Sequence, residues 1–223
     1  MFTIYGVPLS IHVRKVIVTA LEKRLEHQVE TVFPFDPPPG WRDLSPTGKI
    51  PAMKHGDLTL ADSSVIVAYL EKRFPELPLS PSDPAQYARA LWFEEYVDSQ
   101  LAPDVIGLFQ QKILAPLVHK REPDAVVINR LLNEDLPSKL DYLERSLQGD
   151  YLVGGRVSVA DITLASDLTI FHYIGCTLDP ARYPNLLGHF NRMLKRDSFR
   201  KALAAEQPFA EKMGLDRGFL QAA

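Results

Sequence analysis

The chain has 223 residues, of which 46% are hydrophobic and 24% charged, with a formal net charge of -3 and a pI near 6.1. That apolar share excludes disorder, and the length suffices for one large domain or two modest ones with real cores. Positive and negative residues are interspersed, so no basic block marks a nucleic-acid or anionic-lipid footprint; a small molecule or a protein is the expected partner, with no nucleic acid and no membrane.

The first eighty residues change period often. "FTIY", residues 2–5, is a short strand candidate. After "GVPLS" the spacing turns helical over residues 11 to about 25: Val13, Val16, Ile17, Ala20 and Leu21 form one apolar stripe, with Arg14, Lys15, Glu22 and Lys23 off it. Ser10 stands at the mouth of that helix, either as a plain N-cap or as a donor to something negative bound there. "HQVETVF" is a second strand candidate, and "IPAM" and "LTLA" read as two strands joined by the turn "KHGD". A helix follows from Ser63 to Arg73. The order βαβ then ββα predicts a small mixed sheet covered by helices.

"FPELPLSPSDP" holds four prolines in eleven residues, which forbids a continuous helix or a central strand and marks a linker. Beyond it the pattern is helical only: Pro84 to about Leu101, Pro103 to about Leu117, Asp124 to Leu147, Val159 to about Tyr173, Pro184 to Lys195 and Ser198 to Ala205. In "GGRVSVADITLA", Ser158 with Asp161 three positions on has the form of a capping box that starts a buried helix.

Cys176 is the only cysteine, which rules out an intrachain disulfide and a thiolate cluster for zinc or iron–sulfur and points to a reducing, cytoplasmic setting. The opening "MFTIYGVPL" has no basic region ahead of its apolar residues, and no apolar run approaches the roughly 18 residues of a spanning helix. His172 and Cys176 lie four apart on one helical face, where packing outweighs metal binding because two ligands do not make a site. Arg14 reads as structural, bridging to an acid, and His12 as a partly exposed residue without a role.

The segment "SPTGKIPAMKHGDLTLADSSVIVAYL" carries the best functional clue. A proline at Ile50-Pro51 before a strand is a candidate cis peptide that turns the backbone of Ile50 toward an extended, peptide-like ligand. Asp62 and Ser63 open the next helix, where free N–H groups and the positive dipole end favour a carboxylate. Two helix mouths and one strand edge thus converge on one ligand.

On these residues, "PLSIHVRKV", "PTGKIPAM" and "ADSSVIVAYL" resemble the cytosolic glutathione transferases, most closely the serine-type, phi-class-like bacterial and plant branch. "YLVGGRVSVADITLA" and "YPNLLGHFNRM" resemble that family's buried capping-box helix and a late helix, so the likeness covers most of the chain. It implies an α+β thioredoxin-like domain over residues 1–75 that holds glutathione, a linker over 76–85, and an all-α helical-bundle domain over 86–223 with the second-substrate site. By motif position it makes Ser10 the residue that activates the thiol, and Lys49 the neighbour of the glycyl carboxylate. Ile50, before the cis Pro51, becomes the backbone partner of the cysteinyl unit, and Asp62 with Ser63 the γ-glutamyl anchor.

The activity implied is conjugation of the glutathione thiolate to a hydrophobic electrophile, in the manner of detoxification, by a cytoplasmic homodimer without a metal. A glutathione-dependent peroxidase would use the same residues, and a non-catalytic glutathione or hydrophobic-ligand binder would share the fold. Phe109 and Leu108 are candidates for the second-substrate wall, and Asp98 for a reach across a dimer to the γ-glutamyl amine. The chain departs from the family in having Asp62 where Glu is usual, and it has no cysteine near Ser10, which disfavours thiol–disulfide chemistry. Tyr5 precedes the turn and ranks behind Ser10 as the thiol's donor.

Overall fold

A computed structural model of the chain describes residues 1–221. They fall into two compact units: Met1–Ser80 together with Asp197–Phe209, and Pro81–Arg196 together with the described residues from Ala210 onward. No helix among the described residues is long and apolar enough to cross a membrane.

The first unit is built on four strands, β1 (Phe2–Tyr5), β2 (His27–Glu30), β3 (Ala52–His55) and β4 (Leu58–Ala61), in the order β2-β1-β3-β4. β1 runs parallel to β2 and antiparallel to β3, which pairs antiparallel with β4. Phe2 and Ile4 are buried on one face of β1, while Thr3 and Tyr5 turn to the other and are half-buried. Helices α1 (Ile11–Glu22) and α3 (Ser63–Arg73) pack on each other, and the four-residue α2 (Trp41–Leu44) sets Trp41 into a small cluster with Val32 and Ala52, against which Tyr5, Leu44 and Ile50 pack.

The strands match the expected ones with shifted ends. β2 stops at Glu30 because its partner β1 ends there: Tyr5 pairs with Glu30, and the Gly6 N–H donates to the Glu30 carbonyl at 2.9 Å. β3 begins at Ala52, since Pro51 has no N–H for the ladder. The hairpin turn shortens to Gly56-Asp57, with Gly56 at φ 60 and His55 paired to Leu58.

Of the four charged residues expected off the apolar stripe of α1, Glu22 is half-buried, and Arg14, Lys15 and the C-cap Lys23 are buried. Arg14 is 0% exposed, Lys15 1% and Lys23 4%. The helix is covered on more than one side, and the cover comes partly from a distant segment: Glu206, also fully buried in the same unit, accepts from Arg14 Nε at 3.0 Å and Nη2 at 2.7 Å.

The second unit is all helical. α4 (Pro84–Tyr96), α5 (Ala102–Phe109) and α6 (Ala115–Leu117) are joined by single π-helical stretches at Val97–Leu101 and Gln110–Leu114; α7 (Ala125–Arg130) passes to α8 (Leu136–Ser146) through a third, Leu131–Asp135. The sequence predicts a break before Pro103. The structure winds through it instead, because proline in the first turn after a π-helical stretch lacks only an N–H that the wider turn has already displaced. All fifteen residues of α9 (Val159–Tyr173) are buried. α10 (Pro184–Leu194) packs on it, and α11 spans Asp197–Lys212.

The capping box stands as expected. The Asp161 carboxylate, fully buried, accepts from the Ser158 N–H at 2.8 Å, the Ser158 hydroxyl at 2.7 Å and the Leu152 N–H at 2.8 Å, and His189 Nε2 lies 2.9 Å away. A buried carboxylate with that many donors is well satisfied, which explains its place in a core.

Candidate functional site

Three segments meet at one end of the sheet. Tyr5, at the close of β1, pairs with Ala52, and Ala52 pairs with Ala61 at the close of β4. The Ser10 loop, Ile50-Pro51 and Asp62 each lie just past a member of that row. Gly6 draws two of them close: at φ 150 it lacks a Cβ that would meet Val13 Cγ2 at 2.5 Å and Ile50 Cβ at 3.1 Å. No other residue fits between them.

From Gly6 the chain turns through Pro8, with the Ser10 N–H donating to the Val7 carbonyl at 3.0 Å, and enters α1. Ser10 occupies the N-cap position with extended backbone, φ -64 and ψ 134, and its carbonyl takes the Arg14 N–H at 2.8 Å. Its side chain makes no cap hydrogen bond. The plain-cap reading therefore fails in its essential feature: the half-exposed hydroxyl is not engaged with the helix it opens. Arg14 secures the approach, since besides Glu206 its Nη2 reaches the Leu9 carbonyl at 3.2 Å, one residue before Ser10.

Asp62 behaves differently. It caps α3, with Oδ1 accepting from the Ser64 N–H at 2.9 Å and the Val65 N–H at 3.2 Å, from a left-handed backbone at φ 82. Ser63 is buried, and beside it the Ser64 hydroxyl takes a hydrogen bond from the buried Lys15 Nζ at 2.9 Å. Lys15 escaped the sequence reading because a lysine off an apolar stripe is ordinarily solvated, and only the packing of α1 on α3 buries it.

The Ile50-Pro51 peptide bond is cis. Ile50 lies beyond the last β1–β3 pair, and its N–H and carbonyl have no hydrogen-bond partner among the described residues. The Lys49 side chain is exposed, while its carbonyl accepts from the Ser45 hydroxyl at 2.6 Å.

Tyr5 turns away, its ring 6.4 Å from that of Trp41, and burial together with the Glu30 charge pushes its hydroxyl pKa up.

In the second unit His172 stacks on Phe190 with centroids 4.8 Å apart and packs against Phe219, the packing role expected of it. Burial holds its pKa down at about 4, against a weaker opposing pull from Asp216. Cys176 is buried with Lys112 Nζ at 3.7 Å, and burial raises its thiol pKa. Among the described residues no group of three or more His, Cys, Asp or Glu side chains is arranged to hold a metal ion. Leu108, expected on a substrate wall, is fully buried in the core, whereas Phe109 is half-exposed.

Comparison with known proteins adds an independent line. Residues 4–78 match the glutathione S-transferase N-terminal domain and residues 109–206 the corresponding C-terminal domain. FtsZ-localized protein A of Caulobacter vibrioides is 31% identical over 179 residues, 78% of each chain. A glutathione S-transferase of Triticum aestivum is 28% identical over 93% of this chain and 95% of its own. The crystal structure of a glutathione S-transferase from Methylobacillus flagellatus with glutathione bound superposes with a TM-score of 0.77 at 29% identity, covering 91% of this chain and 98% of that one. The four-stranded unit is thioredoxin-like, and with the helical unit it makes the fold these proteins share. On the matched domains, the relatives and the arrangement of the sheet end together, the chain belongs to the glutathione S-transferase family.

Proposed function

We propose that the chain is a serine-type, phi-class-like glutathione S-transferase that ionises the thiol of glutathione at Ser10 and conjugates it to a small hydrophobic electrophile. The observation that carries this reading is the Ser10 hydroxyl at the mouth of α1, unengaged in capping, at the same end of the sheet as the unpaired backbone of Ile50. β1 and β4 stand two strand spacings apart, about 10 Å, which is roughly the reach of three extended residues. Glutathione laid along that row sets its sulfur at Ser10, its cysteinyl backbone on Ile50 before Pro51, and its γ-glutamyl end at α3. There Asp62 Oδ1 holds two helix N–H groups and Oδ2 faces the ammonium, while Ser63, first in the helix, takes the carboxylate. Lys49 is the cation for the glycyl carboxylate.

The energetics are adequate. A free thiol has a pKa of about 8.5, and lowering it by two units takes about 2.7 kcal/mol of preferential anion stabilisation. A charge-assisted hydrogen bond contributes roughly 1.5–3 kcal/mol and a helix N-terminus a few tenths to about 1. Ser10 is thus a donor and the sulfur of glutathione the nucleophile. Assembly as a homodimer, a cytoplasmic location and a role in detoxification complete the proposal.

A second reading keeps the ligand and drops the turnover. It is favoured by the relative named FtsZ-localized protein A, a name that describes a location and no reaction. Conjugation of glutathione to chlorodinitrobenzene by wild type and Ser10→Ala separates the two. The enzyme reading expects turnover that falls about 30–100-fold in the variant, with the thiolate absorbance of bound glutathione appearing only at pH values about two units higher. Retention on immobilised glutathione with no serine-dependent rate supports the binder instead.

A further inference from the structure

We infer that Ser45, acting with Trp41 and Arg42, is a positioning residue for glutathione: the three side chains clamp the backbone of residues 46–49 and so present the Ile50 N–H and carbonyl to the tripeptide. The inference deepens the glutathione-binding reading and rests on it.

Three successive donors, all from α2 or its C-cap, hold the carbonyls of this turn. Arg42 Nη1 donates to the Pro46 carbonyl at 2.9 Å, Trp41 Nε1 to the Gly48 carbonyl at 3.1 Å, and Ser45 Oγ to the Lys49 carbonyl at 2.6 Å. The Gly48 N–H closes the turn on the Ser45 carbonyl at 2.8 Å. Gly48 sits at φ 73 with the Arg42 guanidinium over it, where a Cβ would come within 3.2 Å of Nη2. Ser45 is 0% exposed and Trp41 3%, so these two anchors belong to the core, while Arg42 is exposed. The clamp ends abruptly at residue 49. The next backbone groups, on Ile50, have no partner among the described residues, and the β1–β3 pairing resumes only at Ala52.

Without these bonds a glycine-containing turn between two prolines, Pro46 and Pro51, samples many conformations. A ligand that pairs with the Ile50 backbone must then order the turn on binding, whereas the clamp has ordered it beforehand. Such preorganisation acts on affinity for the peptide and leaves the thiol's own donor, Ser10, untouched. The Ser45 side chain reaches only the backbone next to the ligand, so it positions without touching glutathione.

The test is steady-state kinetics of the full chain with glutathione and chlorodinitrobenzene, for wild type, Ser45→Ala and the exposed-residue variant Arg42→Gln, together with calorimetric titration by glutathione. Expected are a rise of about fivefold to tenfold in KM and Kd for glutathione in Ser45→Ala, a smaller rise in Arg42→Gln, and kcat within about twofold of wild type. KM for the chlorodinitrobenzene and the pH at which the thiolate absorbance appears stay unchanged. A role confined to folding would move both substrates or neither. Unchanged glutathione affinity in both variants overturns the inference, as does a fall in kcat that parallels the loss of affinity. If Ser45→Ala does not fold, Arg42→Gln decides alone. A wild-type chain that fails to bind glutathione overturns the parent reading instead, before any variant is compared.

Discussion

Ser10 and Asp62 both precede a helix, yet their side chains take opposite courses. Asp62 spends one oxygen on the first turn of α3, while Ser10 leaves its hydroxyl off α1. Local sequence does not distinguish the two, because serine and aspartate cap equally well. The difference comes from the bend at Gly6 and from Arg14, which holds the Leu9 carbonyl just before the serine. Arg14 is also the residue with the sharpest stability prediction. With Glu206 it forms a pair in which both side chains are 0% exposed, so Arg14→Met leaves a buried carboxylate without its cation and costs about 3–5 kcal/mol. Urea unfolding at neutral pH measures it. The double variant Arg14→Met with Glu206→Met should recover much of the loss, since it is the orphaned charge and not the absent bond that is expensive.

At the scale of the element, α9 shows what complete burial does to a titratable group. Burial disfavours imidazolium and holds His172 at about 4 against an ordinary 6.5. The unfolded chain takes up this proton below about pH 6.5 and the folded chain only below about 4. Between those values the unfolded state binds more protons, so stability falls as the pH drops through the window, in full by on the order of 3 kcal/mol. Urea unfolding at pH 7 and pH 4.5 is expected to show a smaller loss in His172→Phe than in wild type; equal losses would mean that the histidine is not the group responsible. The same helix was easy to recognise by its capping box, because Ser158 and Asp161 are three residues apart and their contact is local. The π-helical stretches were not. Proline reads as a stop in sequence, and only the neighbouring helices decide whether a wider turn absorbs it.

For the whole molecule, the proposed homodimer makes a direct prediction. On α4 the side chains of Tyr87, Leu91 and Trp92 are exposed at 42%, 44% and 54%. Large apolar groups close together on one helix are the kind of surface that association covers. Sedimentation velocity is expected to give a dimer for wild type and a monomer for Leu91→Arg; a wild-type monomer at micromolar concentration refutes the assignment. A second feature at this scale is that Asp197–Phe209 belongs to the same compact unit as the sheet, although the whole stretch Pro81–Arg196 of the helical unit stands between them in the chain. Nothing in its own composition announces this.

What the sequence determined by itself was the order and type of the main elements, though not the short α2, together with the Pro-rich interruption, the capping box and the segments of the candidate site. All of these are encoded by neighbours within a turn or a hairpin, where period, proline and cap residues act directly. The tertiary structure alone decided which segments meet and what covers each face. The row Tyr5–Ala52–Ala61 that gathers Ser10, Ile50 and Asp62 depends on the strand order, and Arg14 finds Glu206 across 192 positions. An apolar stripe states that a face will be covered but not by what, so the buried charges on α1 become visible only when distant chain is packed around them.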